Sequence, residues 1–273
     1  MGKGMRHLGH PSALLVGVLC GLLLLPACTT LTVEEEGELG KDAAMELRKE
    51  LDFVRDEWVV KYVRDIGHEI VRAAGPSEYD YEFFVVDDDE LNAFALPAGY
   101  IYIHTEIILE AANVSELAGV IGHEVGHVAL RHVARNYNRQ RNTGIAQNIG
   151  SLLASVFIGG YGAVGGQMLG QLAAVAYVNQ FTREAEVEAD GFAVDFLPAA
   201  GYDPNGMVTF FETLQSRKGN ANIPTFLSSH PATKERIDNT RQLIDGKGLS
   251  EGLQISDNGQ LELIQRRIEL LSR

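Results

Sequence analysis

The sequence predicts a mainly α-helical α+β domain with a small β-sheet. The segment "EWVVKYVRDIGHEIVRAAG", residues 57–75, has apolar side chains at helical spacing, which predicts a helix that ends at Gly75. The segment "YEFFVVDDD", residues 81–89, has strand character instead. Two further extended segments are predicted on either side of a turn at residues 97–99, and helical spacing returns over residues 114–136. With 273 residues, of which 45% are hydrophobic, the chain is long enough to bury one large core.

The first 27 residues have the composition of a signal peptide. A cationic start with Lys3 and Arg6 precedes the uncharged run "PSALLVGVLCGLLLL", which is short for a membrane span. The following "LPAC" resembles a bacterial lipobox, which implies cleavage before Cys28 and lipidation of that cysteine. The threonines after Cys28 differ from the aspartate that favours inner-membrane retention, so we expect a lipid anchor at the periplasmic face of the outer membrane. The alternative is a plain signal peptide with an incidental cysteine.

The rest of the chain divides where its composition changes. Residues 28–40 are acidic and predict a tether, residues 41–245 predict the main domain, and residues 246–273 predict a peripheral tail with one short helix. From Asn142 to Thr182 the chain carries no charged side chain, but glycines interrupt the apolar stretch. We interpret this segment as two amphipathic helices around a mobile Gly-rich loop, with a segment that dips into the membrane as the alternative.

The stretch "VIGHEVGHVALRH", residues 120–132, carries the first candidate site. In a helix, His123 and His127 lie about 40° apart on one face, so both imidazoles can reach one metal ion. Glu124 lies at the flank of that face, where it can act on a metal-bound water without being a ligand. His132 lies about 140° beyond His127 and is interpreted as structural. The alternative is a buried helix with hydrogen-bonded histidines, although Gly119, Gly122 and Gly126 in this helix predict a close neighbour.

The stretch "FTREAEVEAD", residues 181–190, offers the third ligand that a catalytic zinc requires. Glu186 and Asp190 are four positions apart and share one helix face. We interpret Glu186 as a metal ligand and Asp190 as the acceptor for the spare N–H group of a ligating histidine. Glu184 and Glu188 face elsewhere on the helix and are interpreted as solvated.

HExxH followed by ExxAD resembles the HtpX-like and BepA-like zinc metallopeptidases, relatives of the CAAX prenyl proteases. The segments "NAFALPAGYIYIHTEII" and "SSHPATKERI" are similar to two further motifs of that family, and the four motifs appear in the family's order over roughly residues 40–245. The resemblance implies a gluzincin-type domain with a small β-sheet beside the HExxH helix. It also implies one Zn²⁺ ion held by His123, His127 and Glu186, with Glu124 as the catalytic base.

The same resemblance gives His230, in the His-Pro motif, a role in the site. This histidine can stabilise the oxyanion, or it can occupy the open zinc position and keep the enzyme latent. As a purely structural residue it would cap the following helix. The Gly-rich stretch at residues 159–166 is predicted to be a lid over the cleft.

A substrate strand is predicted to pair with an extended segment ahead of the HExxH helix. The alternative position for this pairing is the segment Tyr100–His104. Recognition of this kind reads backbone more than side chains, so it suits unfolded polypeptides. The preferred segment contains Asn92, Phe94, Ala95 and Leu96.

The formal net charge of −14 and the lack of a basic stripe exclude nucleic-acid binding. With the family resemblance, we expect a zinc endopeptidase of the Gram-negative cell envelope that hydrolyses misfolded or unassembled envelope proteins. The chain shows neither the transmembrane helices of HtpX-type members nor the helical repeats of BepA-type members, so we expect a compact lipoprotein. The alternative is a chaperone-like or assembly-factor lipoprotein whose active site is gated or rarely used.

Overall fold

A computed structural model of the chain describes residues 31–142, 181–216, 225–249, 253 and 257–271. The predicted signal peptide, the lipidation site at Cys28 and the Gly-rich lid lie outside the described residues. The predicted mainly helical α+β fold is confirmed, because one three-stranded sheet packs among helices.

The first helix, α1 (Val33–Glu50), begins inside the segment predicted to be an acidic tether. The Thr32 side chain accepts a hydrogen bond from the Glu35 backbone while the Glu35 side chain accepts one from the Thr32 backbone, a capping box that starts the helix. Glu36 is buried, where it accepts hydrogen bonds from Tyr79 Oη at 2.8 Å and Arg131 Nε at 2.7 Å. Residues 33–40 are therefore part of the folded domain, since a buried charge with two partners holds them in place.

The second helix, α2 (Glu57–Ala74), has the bounds that its periodicity predicts. The Asp56 side chain accepts hydrogen bonds from two backbone amides at the start, and Gly75 ends the helix with φ 96°. Its apolar stripe is buried against the sheet and the later helices: Val59, Val63, Ile66 and Ile70.

The sheet has the strand order β1-β3-β2, with β1 (Glu82–Val86), β2 (Ala93–Ala95) and β3 (Tyr100–His104). Strand β3 pairs in parallel with β1 and antiparallel with β2, so both of its edges are occupied. The alternative prediction, that Tyr100–His104 offers a free edge to substrate, is therefore wrong. The preferred segment forms β2, which lies at one side of the sheet as the structure describes it.

The central helix, α4 (Val114–Ala129), follows the short helix α3 (Thr105–Glu110) and is buried from Val114 to Val128. The close approach that its glycines predict is confirmed. A Cβ atom added to Gly119 would lie 2.7 Å from the backbone of Met207, and one on Gly126 would lie 3.1 Å from the carbonyl oxygen of Ala189. Glycine is required at position 119, because the Met207 backbone leaves no room for a side chain, and at position 126 a side chain would make a tight contact.

The helix predicted over residues 114–136 is in fact two helices. It ends at Ala129, Arg131 adopts a left-handed conformation with φ 54°, and α5 (His132–Asn142) starts in a new direction. The prediction of one continuous helix is wrong because no glycine or proline marks this break in the sequence.

The second half of the described fold is helical. Helices α6 (Arg183–Ala200) and α7 (Asn205–Ser216) both pack against α4. The last helix packs against α2 and α3 and contributes Leu261, Ile264 and Ile268 to the main core. Among the residues that the structure describes, no helix is long and apolar enough to cross a membrane. The helices that follow α7 are α8 (Thr225–Ser229), α9 (Lys234–Lys247) and α10 (Gln260–Leu271).

Candidate metal centre

The two histidines of the HExxH motif face one point inside the protein. Helix α4, capped by the Asn113 side chain, brings the Nε2 atoms of His123 and His127 to 3.0 Å from each other. Both imidazoles and Glu124 are fully buried. The spacing on a helix therefore produces the convergence that the sequence predicts.

Helix α6 brings Glu186 to the same point. Its Oε2 atom lies 3.5 Å from Nε2 of His123 and its Oε1 atom lies 3.4 Å from Nε2 of His127. The approach is possible because α6 packs on the glycine-containing face of α4, where Ala189 is buried against Gly126. The third ligand predicted from sequence is thus adjacent to the first two.

His230 reaches the centre from the segment that follows α8. Its Nδ1 atom lies 3.1 Å from Oε1 of Glu186 and 3.2 Å from Nε2 of His123, and its Nε2 atom lies 3.5 Å from Oε1 of Glu124. The candidate ligand atoms of the four residues all lie within 4.8 Å of one another: His123, His127, Glu186 and His230. Such a set of nitrogen and carboxylate donors is suited to zinc.

The buried polar atoms of this centre also suit a cation. The two carboxylate oxygens of Glu124 have no hydrogen-bond partner among the described residues, and the same is true of the Nε2 atom of His230. Burying such groups without a partner is costly, because they lose their hydrogen bonds to water. The donor set therefore fits a metal ion with a bound water.

Asp190 and Arg236 lie behind His123. Oδ1 of Asp190 lies 3.0 Å from Nδ1 of His123, and Nη2 of Arg236 donates to Oδ1 of Asp190 at 2.6 Å. Arg236 also pairs with Glu186, with 2.6 Å between Nη1 and Oε2. The sequence prediction missed Arg236, which stands six residues after His230 in the same quoted motif. The burial of this arginine could not be predicted from the sequence, because Arg is normally exposed.

His132 and Glu188 lie behind His127. The Nδ1 atoms of His132 and His127 are 2.9 Å apart, and Nε2 of His132 lies 3.0 Å from Oε2 of Glu188, which also pairs with Arg135. His132, interpreted from sequence as structural, is not one of the four candidate ligands, but the break in the helix after Ala129 brings it into contact with His127. Glu188, interpreted as solvated, is bonded to that histidine and is part of the same chain of contacts.

The charges of the centre are set by burial and by neighbours. Burial raises the pKa of Glu124, which makes its carboxylate a better proton acceptor near neutral pH. Burial also acts to raise the pKa of Glu186, but the nearby His230 and Arg236 outweigh it and hold this pKa well below its usual range. Burial lowers the pKa of His127 far below its usual range and lowers that of His132. Both of these histidines are therefore neutral at pH 7 in the absence of a metal.

The carboxylates behind the two histidines determine that Nδ1 is the nitrogen that keeps its proton in each candidate ligand. Ionised Asp190 accepts a hydrogen bond from Nδ1 of His123. Ionised Glu188 accepts one from Nε2 of His132, so Nδ1 of neutral His132 must accept from Nδ1 of His127. Neutral His127 therefore directs the lone pair of its Nε2 atom to the shared point. His123, whose pKa is raised to about 9, does the same once it has lost its second proton, and this is the form that binds a metal.

A cleft reaches the centre from outside. It has a volume of about 200 Å³ and is lined by Phe181, Val187, Pro231, Arg236 and other residues. The Phe181 ring stacks on His127 with 3.9 Å between ring centroids. Glu186 is among the lining residues, so the cleft adjoins the centre.

The predicted substrate strand is part of the sheet that packs against α4, and its residues are not among the four candidate ligands. Asn92, Phe94, Ala95 and Leu96 are all buried, and the Phe94 ring stacks on Tyr102 at 4.8 Å. Their role in binding substrate stays a prediction.

Comparison with known proteins shows that the chain is similar to metallopeptidases. The sequence pattern of peptidase family M48 matches residues 57–244. A putative beta-barrel assembly-enhancing protease of Vibrio cholerae is 34% identical over 222 residues, which cover 79% of this chain and 45% of that protein. The mitochondrial metalloendopeptidase OMA1 of Arabidopsis thaliana is 30% identical over 79% of this chain and 42% of its own length. The metalloprotease LoiP of Escherichia coli is 30% identical over 62% of this chain and 64% of its own length. The chain thus spans about half the length of the first of these relatives.

Proposed function

This chain belongs to peptidase family M48, and we propose that it is a zinc-dependent endopeptidase. The observation that carries the proposal is the convergence of His123, His127 and Glu186 beside the buried carboxylate of Glu124, which accepts no hydrogen bond from any residue that the structure describes. These residues would hold one Zn²⁺ ion with Nε2 of each histidine and the carboxylate of Glu186. When bound, zinc lowers the pKa of its water and polarises the carbonyl of the scissile bond.

The chain's own residues then carry the proton transfers. Glu124 accepts a proton from the attacking water, because burial has raised the pKa of its carboxyl. It passes that proton to the nitrogen of the leaving amine. Asp190 and His132 hold the imidazoles of His123 and His127 in the orientation and tautomer that the site needs.

His230 has two proposed roles that its position supports equally. With Nε2 at 3.5 Å from Glu124, it can donate to the oxyanion of the tetrahedral intermediate. With Nδ1 at 3.2 Å from Nε2 of His123, it can instead occupy the open ligand position and keep the enzyme latent. His230→Ala separates the two, since higher turnover indicates a gate and lower turnover indicates catalysis. Unchanged turnover would exclude both.

The substrates that we propose are unfolded or unassembled polypeptides of the cell envelope. Three observations support this class: the relatives named as beta-barrel assembly-enhancing proteases, the signal-like start of the chain, and the edge strand β2 near the HExxH helix. The proposed anchor is a lipid at Cys28, which would hold the enzyme at the outer membrane. Cys28→Ser should release the protein from the membrane fraction, whereas retention would exclude this anchor.

A second candidate function is that of a chaperone-like lipoprotein with a gated site. The contact of His230 with two of the candidate ligands favours it, because a histidine in that place competes with water and substrate for the metal. Turnover decides between the two functions.

The deciding experiment is the cleavage of a permanently unfolded test protein by the zinc-loaded chain. Glu124→Gln is the variant to compare, because it removes the base and leaves all proposed ligands in place. Glu38→Gln, at an exposed position of α1, is the matched control. We expect cleavage by the wild type and the control and none by Glu124→Gln at equal zinc content. Equal cleavage by all three would contradict the role of Glu124, and no cleavage by any would favour the gated protein.

A further inference from the structure

A second group of potential metal ligands lies where β1 and β3 end. Asp88 and Glu90 belong to the loop after β1, and His104 is the last residue of β3. Their candidate ligand atoms, one from each residue, all lie within 4.8 Å of one another. None of these residues belongs to the HExxH centre, so this group forms a separate site.

The environment of His104 is the main indication that this group binds a ligand. Its side chain is fully buried, and neither imidazole nitrogen makes a hydrogen bond of normal geometry among the described residues, although the Glu90 backbone lies close enough to act on the His104 pKa. Nδ1 lies 4.0 Å from Oδ1 of Asp88, which is too long for a hydrogen bond but suits two groups that share an ion. A buried imidazole without a partner costs free energy, so such a group in a folded protein needs an explanation.

The acidic loop, residues 87–90, is held in position by hydrogen bonds. The Thr105 hydroxyl donates to the backbone oxygen of Asp88 at 2.9 Å and accepts from its backbone nitrogen at 3.2 Å. Oδ1 of Asp88 accepts from the Glu90 backbone at 2.7 Å, which fixes the turn between the two acidic residues. The Asp88 side chain retains 18% of its exposure, so an ion can reach the group from solvent.

We propose that Asp88, Glu90 and His104 form a second binding site for a divalent transition-metal ion, with zinc as the ion that best suits the donors. One imidazole and two carboxylates supply three protein ligands and leave room for water. Burial lowers the pKa of His104 against the opposing effect of Asp88, which keeps the imidazole in the neutral form that binds metals.

An ion at this site would act on the segment that carries His230. The carbonyl oxygen of Leu91, the residue after Glu90, accepts a hydrogen bond from the Phe226 backbone at 3.1 Å. Phe226 lies in α8, and its own carbonyl oxygen accepts from the His230 backbone at 2.8 Å. Fixing the acidic loop would therefore also stabilise the position of His230. The proposed site is thus structural and regulatory, since its residues do not touch the HExxH centre.

The test counts zinc ions per folded chain after loading with zinc alone and removal of the excess. Asp88→Asn keeps the backbone contacts and the acceptor for Glu90 but removes the charge, and His104→Gln removes the imidazole. Asp89→Asn, exposed in the same loop, is the matched control. We expect two ions in the wild type and in Asp89→Asn, and one ion in Asp88→Asn and His104→Gln. Should His104→Gln fail to fold, Asp88→Asn decides alone.

The outcomes also separate this site from the proposed peptidase centre. A wild type that binds one ion, and keeps it in Asp88→Asn, overturns the second site. A wild type that binds one ion, and loses it in Asp88→Asn, supports the second site and counts against the HExxH centre as the zinc position. Two ions that all variants retain would place the second ion elsewhere and overturn this inference.

Discussion

The two histidines of the HExxH motif have the same proposed task but differ in what lies behind them. His123 is backed by Asp190 and Arg236, and both partners are buried. His127 is backed by His132 and then by Glu188, whose side chain is 44% exposed. One side of the centre is thus a closed ionic network, and the other opens to solvent.

The difference shows that two networks can orient a metal ligand in the same way and still differ in how much they affect the stability of the fold. A carboxylate in each network fixes the tautomer of a candidate ligand, which is what metal binding needs. Only in the buried network does the loss of one partner destabilise the fold strongly, because it leaves an uncompensated charge in the interior. An exposed pair such as Glu188 and Arg135 is screened by water and contributes little.

The largest effect is expected from Asp190→Asn. The change leaves Arg236 with only Glu186 as an anionic partner, so the metal-free protein should lose about 3 kcal/mol of its free energy of unfolding. The affinity for zinc should fall about 100-fold, because His123 loses its acceptor. Denaturant unfolding and zinc competition measure the two effects. Asp195→Asn, at a half-exposed position of the same helix, should change neither, and a stable Asp190→Asn protein would contradict the buried network.

A pH dependence is expected from the His123 side alone. Burial lowers the pKa of His123, but the carboxylates of Asp190 and Glu186 outweigh it and raise this pKa to about 9. A proton on His123 must leave before a metal binds, so the apparent zinc affinity should fall as the pH drops from 8 to 6, by about tenfold per unit. His127, whose pKa lies well below its usual range, should add no dependence in this interval. Calorimetry in buffers of different ionisation enthalpy counts the released protons, and a count near zero would contradict this assignment.

A smaller effect is expected from Glu188→Gln. The carboxylate that holds His132 in its tautomer is lost, so the zinc affinity should fall about tenfold. The free energy of unfolding should change by less than about 1 kcal/mol, because Glu188 is half exposed. Glu184→Gln, at an exposed position of the same helix, is the control. An affinity equal to that of the control would show that His132 is oriented without Glu188.

The smallest effect is expected from Arg135→Ala. This side chain is 55% exposed and touches the network only through Glu188. Its loss should change both the zinc affinity and the free energy of unfolding by less than about 1 kcal/mol. A loss as large as that of Asp190→Asn would contradict the distinction between the two sides.

Residue spacing predicted which side chains of the centre lie on the same face of a single helix. His123 and His127 meet because they are four residues apart, and Glu186 and Asp190 share a face for the same reason. The break at Arg131 could not be predicted, since no glycine or proline stands there. The contact between His132 and His127 could therefore not be predicted, because it depends on this break.

Burial of charged residues also depends on long-range packing, which sequence patterns do not contain. The acidic run with Glu36 resembles a solvated tether, yet Tyr79 and Arg131 come from distant segments to pair with Glu36. Arg236 is buried only because Asp190 and Glu186 lie opposite it in the folded chain. In both cases the partner is more than 40 positions away, so no local pattern indicates the pair.

The most direct test of the proposed centre is anomalous diffraction at the zinc absorption edge from crystals of the zinc-loaded protein. We predict a peak about 2.0–2.1 Å from the Nε2 atoms of both His123 and His127, with Glu186 as the third ligand. Asp190 and His132 should keep their contacts with the two Nδ1 atoms. A map with no peak at that point, or with the ion bound through Nδ1 of His127 in place of His132, would contradict the account.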